Sequence, residues 1–180
     1  ISILGARARS AAAGDTKREE LLGQMSYKAS EMVTALDEIV WAMNPQHDSL
    51  ASLVSYFCLY ADRFLGLANI PWRLEAGTVP EDLVVDSRLR HQLFLAFKEA
   101  LNNVVRHSGA SQVRLGIQLE GGELQLSIAD NGRGLSSTLR AEDMDGVANM
   151  RARMERLGGR FEIGSDAGQG TTLRFRLMVR

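Results

Sequence analysis

Asp130-Asn131-Gly132-Arg133-Gly134 sets a carboxylate immediately before two glycines. A carboxylate accepts hydrogen bonds and reads an amino group well, and glycines let the backbone approach a ligand closely. The preceding residues tell where Asp130 points. Val113, Leu115, Ile117 and Leu119 alternate with other residues, Gly121-Gly122 makes a two-residue turn, and Leu124, Leu126 and Ile128 alternate back. Pairing across the turn puts Leu119 opposite Leu124, Ile117 opposite Leu126 and Leu115 opposite Ile128. One more step puts Val113 opposite Asp130, so the carboxylate ends an apolar row. There it must find a partner or line a pocket. The alternative is a turn aspartate that caps its own loop.

A second constellation lies upstream. On a helix over 87–107, at about 100° per residue, Leu93, Phe97, Ala100 and Val104 share one side. Glu99, Asn103 and Arg106 share the other, with Asn102 beside them. Glu99 and Asn103 are four apart and reach one spot. A carboxylate, an amide and a guanidinium on one stripe suit Mg²⁺ with phosphate: oxygen donors for the hard cation, a fork for the anion. A solvated helix face is the competing reading, but paired mid-helix asparagines are poor helix formers. Gly146 opens a helix over 146–157, and a helix start after glycine is an anion site. Gly168-Gln169-Gly170-Thr171 reads on its own as a hairpin turn.

The elements that must position these residues follow from periodicity. Residues 49–66 form an apolar-rich helix burying Leu53, Phe57 and Tyr60, and 70–75 alternate as a strand. The last strand pair sets Phe161 and Ile163 against Leu173, Phe175 and Leu177. Helices over one face of a mostly antiparallel sheet make a two-layer α/β sandwich. The N-terminal part differs. Residues 1–13 read as the end of a helix, Gly14-Asp15 interrupts it, and Thr16-x-x-Glu19 is a capping box. Leu22, Met25, Ala29, Met32, Leu36, Ile39 and Met43 then recur at spacings of 3 and 4, as a bundle or coiled-coil seam. Leu21, Val33 and Val40 widen the stripe, and Asn44-Pro45 ends it. We therefore expect a helical unit over 1–45 and an α/β domain over 46–180.

Composition removes several classes of function. The 180 residues carry a net charge of -1, so no basic field draws nucleic acid or anionic membrane. One cysteine, Cys58, excludes an internal disulfide and a multi-cysteine metal site. His47, His91 and His107 are the only histidines. No run of about 18 apolar residues is evident, so no membrane span is expected. Residue 1 is Ile, and the chain reads as a piece of something longer.

The order of these clusters resembles the GHKL ATPase superfamily, most closely the catalytic domain of bacterial sensor histidine kinases. Glu99-Ala-Leu-Asn102-Asn103-Val-Val-Arg106-His107 resembles its N box, and Asp130-Asn-Gly132-Arg-Gly134 its first glycine box. Gly146-Val-Ala-Asn149 resembles the second glycine box, and Gly168-Gln-Gly170-Thr171 the third. Residues 1–45 are similar to the end of a dimerisation and phosphotransfer hairpin. Leu36-Asp-Glu-Ile-Val-Trp41-Ala-Met-Asn44-Pro45 matches the run before the ATPase domain in kinases paired with helix-turn-helix response regulators. The resemblance implies a Bergerat-type ATP-binding fold with ATP and Mg²⁺. It implies that Asp130 receives the adenine amino group, Asn103 ligates Mg²⁺ with Asn102 nearby, and Glu99 acts at the γ-phosphate. Arg106 and His107 would meet phosphates, Gly132, Gly134 and Gly146 would bound the nucleotide, and Thr171 would join the adenine-side water network. The implied reaction is γ-phosphoryl transfer to a histidine upstream of Ile1, in a cytoplasmic homodimer with any membrane anchor upstream and a response regulator as partner.

The chain departs from the family pattern at the lid. Met144 stands where a glycine is common, within Glu142-Asp143-Met144-Asp145, and acidic residues beside a triphosphate repel it unless they face solvent or engage Mg²⁺. Arg106 stands where lysine is common. His47-Asp48 has the composition of an acceptor pair but follows Asn44-Pro45 at a helix break. With its acceptor upstream, the piece is expected not to label itself. Two other readings compete: a dimeric ATP-binding or scaffold module without turnover, and an anti-sigma serine kinase of the same superfamily.

Overall fold

The computed structural model describes residues 48–80, 83–135, 141–166 and 168–179, with 21–25, 28, 29, 32, 36, 38, 40, 41 and 44. The chain divides into two compact units, Ile1–Asn44 and Pro45–Arg180. In the first, the described residues from 21 to 41 are helical. Leu22, Met32 and Leu36 of the seam are exposed, as is Val40 beside it. The helix over 1–13, the capping box, Ile39 and Met43 lie outside the described residues.

In the second unit, α1 (Leu50–Leu67) is capped by Ser49, whose side chain accepts from Ser52 N at 3.1 Å. Its buried stripe is Leu50, Leu53, Phe57, Ala61 and Leu65. Tyr60, expected in the core, is half-buried, its ring edge-on to Phe94 at 5.2 Å. By length and composition alone α1 could cross a membrane, although it carries Asp62 and Arg63 and is no unbroken apolar run. Its buried stripe is nevertheless spent on this core: Phe57 stacks on Phe97 of the next helix at 4.3 Å.

Helix α2 (Ser87–Asn103) starts at Asp86, whose side chain accepts from Leu89 N at 2.7 Å. Leu93, Phe94, Ala96, Phe97, Ala100 and Leu101 form its buried face. The spacing of apolar residues has this helix run on in α geometry to 107. Instead Val104–Ser108 form one turn of π-helix, and Gly109 at φ 63 ends it. Ser108 Oγ donates to Val104 O at 2.7 Å and accepts from Ala110 N at 2.9 Å, so one hydroxyl serves both the last carbonyls and the exit.

Strand β1 (Trp72–Ala76) begins two residues later than expected. It is the edge strand of a sheet completed by β2 (Val113–Glu120), β3 (Glu123–Asp130), β4 (Arg160–Asp166) and β5 (Gly170–Met178). The order is β1-β2-β3-β5-β4, antiparallel except for the β1–β2 pair. The β2–β3 register is the one read from the sequence, ending with Val113 opposite Asp130. Phe161 pairs with Phe175 and Ile163 with Leu173, whereas Leu177 pairs with Leu124 of β3 instead. Val113, Leu115, Ile117, Leu124, Leu126, Ile128, Leu173, Phe175 and Leu177 are buried and alternate with more exposed neighbours, giving the sheet one apolar face. The result is a two-layer α/β sandwich.

Helix α3 (Ala141–Arg156) starts five residues before Gly146, so Gly146 lies inside the helix and opens nothing. Glycine is tolerated inside a helix, and here its missing β-carbon leaves room for Glu99, so the residue that reads as punctuation is a packing position. The anion site expected at a helix start on Gly146 is therefore not formed there. Arg88 Nη2 donates to Arg156 O at 3.2 Å, and Arg153 Nη1 to Gln92 Oε1 at 3.0 Å. These bonds lay α3 antiparallel along α2 and bring Gly146 to Glu99.

Candidate active site

Four segments meet around Asp130. Its carboxylate is half-buried and accepts from Gly132 N at 2.8 Å and from the backbone N–H of Thr171. Burial raises its pKa above the ordinary aspartate value, and the two backbone donors pull the other way. The aspartate thus caps its own loop and also ends the apolar row.

The glycines near it are required by close approach. A β-carbon on Gly132 would sit 2.3 Å from Ser108 O, and one on Gly170 would sit 1.9 Å from Asp130 O. Gly170 also has φ 87 and Gly134 has φ 73, both in the region that side chains disfavour. Arg133 N donates to Ser108 O at 2.9 Å, and Gly168 N to Arg133 O at 2.9 Å. The Asp130–Gly134 loop is thereby stitched to the end of the π-turn on one side and to the β4–β5 turn on the other.

Glu99 and Asn103 are half-buried and converge from adjacent turns of α2. A β-carbon on Gly146 would lie 2.4 Å from Glu99 Oε1 and 3.6 Å from Asn103 Nδ2, so both side-chain ends reach one point over α3. Asn102 is half-buried too, and Arg106 and His107 are exposed. Because residues 104–108 are π-helical, the wheel that sets Arg106 in line with Glu99 and Asn103 does not carry over. Asp145 is exposed, and the side chains of 141–144 lie outside the described residues.

Sequence pattern misses three residues here. Asn131 and Ser108 join the two halves of the site. Ser165 Oγ accepts from Leu135 N at 2.7 Å, donates to Gly170 O at 3.0 Å and lies 3.3 Å from Thr171 Oγ1, tying the exit of the Asp130 loop to the β4–β5 turn. The partners that matter for the site are mostly distant in sequence, so no local pattern announces them.

The residues present fit a magnesium nucleotide. A half-buried acceptor held by backbone donors suits an amino group on an apolar base, and Glu99 with Asn103 offer oxygen donors for a hard cation. Among the described residues no three His, Cys, Asp or Glu side chains cluster, so a cation would need ligands beyond such a set.

Comparison with known proteins agrees with this arrangement. Residues 89–180 match the model of the histidine kinase-, DNA gyrase B- and HSP90-like ATPases. The chain is 30% identical over 99 residues, 55% of its length, to the sensor histidine kinase LiaS of Bacillus subtilis. It is 31% identical over 96 residues, 53% of its length, to the sensor protein VraS of Staphylococcus aureus. The matched stretch spans 28% of each of these relatives. Among solved structures, the Acinetobacter baumannii histidine kinase AdeS superposes with a TM-score of 0.64 at 17% identity, covering 100% of this chain and 95% of that one. The Erythrobacter litoralis EL346 blue-light activated histidine kinase gives 0.67 at 18%, covering 99% and 58%. These two show a shared fold. With the family match running over more than half of its length, from α2 through every segment of the site, the chain belongs to the histidine kinase-, DNA gyrase B- and HSP90-like ATPase family, and the relatives it resembles there include a sensor histidine kinase and a sensor protein.

Proposed function

We propose that this chain binds Mg²⁺-ATP between α2, the loop after β3, α3 and the β4–β5 turn, and presents the γ-phosphoryl for transfer to a histidine other than His47, His91 and His107. The observation that carries the reading is the placement of Asp130. A carboxylate at the end of an apolar row, bonded only to the backbone N–H groups of Gly132 and Thr171 among the contacts described, is an acceptor poised for a base with an amino group. Thr171 lies beside it for the water network on that side. Gly132 and Gly134 keep the loop close, and Gly146 keeps α3 close to Glu99.

On the phosphate side, Asn103 would ligate Mg²⁺ with Asn102 adjacent, Glu99 would orient at the γ-phosphate, and Arg106 and His107 would meet phosphate oxygens. Bound Mg²⁺ supplies charge neutralisation on the phosphates. The chain's own part is to hold the nucleotide and fix its direction, since phosphoryl transfer is mostly positioning and electrostatics. Calorimetry tests this: Asp130→Ala abolishes ATP and ADP binding while the fold persists, and unchanged affinity refutes the adenine role. Asn103→Ala weakens binding mainly with Mg²⁺ present, and an equal loss in EDTA refutes the ligand role.

Residues 1–45 serve as the dimerisation unit of a homodimer whose partner is a helix-turn-helix response regulator on the cytoplasmic side. Exposure of Leu22, Met32 and Leu36, all on one heptad seam, supports a second helical surface covering them. Sedimentation at tens of micromolar shows a dimer for the 180 residues and a monomer that still binds ATP for 47–180. A monomeric full chain refutes the intermolecular seam. Given γ-labelled ATP, the 180 residues alone take up no label, and label on His47 overturns the placement of the acceptor.

A further inference from the structure

We infer that Asn131 is a positioning residue that holds the adenine end of the site at a fixed distance from the phosphate end. The inference rests on the ATP-binding reading above and assigns a role to a residue that reading leaves unused. Asn131 is exposed, yet its side chain makes three hydrogen bonds, all to one short segment. Oδ1 accepts from Ser111 N at 3.0 Å and from Gln112 N at 2.9 Å, and Nδ2 donates to Ser111 Oγ at 2.9 Å. Its backbone N–H donates to Gln112 O at 3.3 Å, one step beyond the β2–β3 ladder.

The topology gives these bonds their meaning. Asn131 directly follows Asp130, the last residue of β3. Ser111 and Gln112 closely follow the turn at Gly109, where the chain leaves the helix that carries Glu99, Asn103 and Arg106. The two ends of the proposed site thus lie on different elements. Four connections bridge the exits of those elements: the Asn131 side chain, its backbone N–H on Gln112 O, the Arg133 N–H on Ser108 O, and the close approach of Gly132 to the same carbonyl. The last two act at the π-turn. Asn131 gathers the backbone donors of the segment between Gly109 and β2, converting a chain reversal into a fixed spacer. Since Ser111 and Gln112 are exposed, water can replace the lost bonds, so the fold should survive removal of the side chain.

The test is a ratio. AMP reports the adenine end, and Mg²⁺-ATP reports both ends together. For the 180-residue chain, calorimetry of Asn131→Ala is expected to leave AMP affinity within about twofold. Mg²⁺-ATP affinity is expected to fall on the order of tenfold, about 1.4 kcal/mol, because that ligand must engage both ends at once. Asn131→Asp keeps both acceptor bonds, with Ser111 Oγ now donating, and is expected to restore most of the ratio; Ser111→Ala, which loses one bond of three, falls between. An equal loss for both ligands, or no loss in a variant that melts like the wild type, overturns the positioning role while leaving the ATP site standing. A wild-type chain that binds neither ligand overturns the ATP reading itself.

Discussion

Gly146 lies so close to Glu99 that a β-carbon there would sit 2.4 Å from Glu99 Oε1. The obstruction is the far end of a flexible side chain, so Gly146→Ala is expected to swing the carboxylate aside rather than break the fold. Alanine in a helix interior is worth about 1 kcal/mol over glycine. Stability and function should therefore separate: the melting temperature stays level or rises while Mg²⁺-ATP affinity falls. Thermal denaturation and calorimetry on the same sample check this, and a loss of both together would mean that α3 had moved instead.

Gly170 makes the opposite case. Its β-carbon would meet the Asp130 carbonyl at 1.9 Å, and its φ of 87 is strained for any side chain. Neither the backbone of β3 nor the turn can yield cheaply. Gly170→Ala is expected to cost at least about 1–3 kcal/mol from the backbone conformation alone, with the collision added. Chemical denaturation should show a clear loss of stability, and nucleotide binding should fall with it.

These two glycines also mark what is legible in the sequence and what is hidden. Strict alternation in β2 and β3 with a two-glycine turn dictates a register, so alternation alone places Asp130 opposite Val113. Glu99 and Asn103 obey helical spacing and do converge. The end of α2 escapes such reading because a π-turn leaves no mark in apolar periodicity; Ser108 stabilises it through a local bond that many serines could make. The start of α3 escapes it because glycine reads as punctuation, whereas here it permits close packing against Glu99. Asn131, Ser108 and Ser165 tie the site together through partners distant in sequence, which spacing cannot reveal.

Asp130 carries a pH dependence. Burial raises its pKa in the folded chain above the ordinary value near 4. The folded state thus holds its proton more tightly than the unfolded state. The carboxyl's contribution to stability is full below the ordinary value and is lost as pH rises through the raised one. At neutral pH the charged form is a net burden. Asp130→Asn is expected to melt at or above the wild type at pH 7, and the difference should vanish as pH falls below about 4. A wild type that gains relative stability as pH rises would show that the backbone donors outweigh burial.

Arg90 and Asp48 should respond unequally to removal. Arg90 is fully buried on α2, ion-paired with Asp48, and donates to Val85 O at 3.3 Å. The Asp48 side chain is 39% exposed and its backbone carbonyl accepts from Val85 N at 3.0 Å, just past the boundary between the two units at Pro45. Taking away Asp48 removes the charged partner of a buried guanidinium, which keeps its bond to Val85 O; because the carboxylate is partly solvated, the cost falls below the roughly 3–5 kcal/mol of breaking a fully buried pair. Taking away the charge on Arg90 leaves a carboxylate that water can reach. Asp48→Ala is therefore expected to destabilise more than Arg90→Met, whose side chain fills much of the same apolar space. The double variant Asp48→Ala/Arg90→Met should recover most of the loss seen in Asp48→Ala. Equilibrium denaturation of the three variants closes the cycle, and equal costs for the two single changes would show that packing by the arginine stem, not its charge, governs this pair.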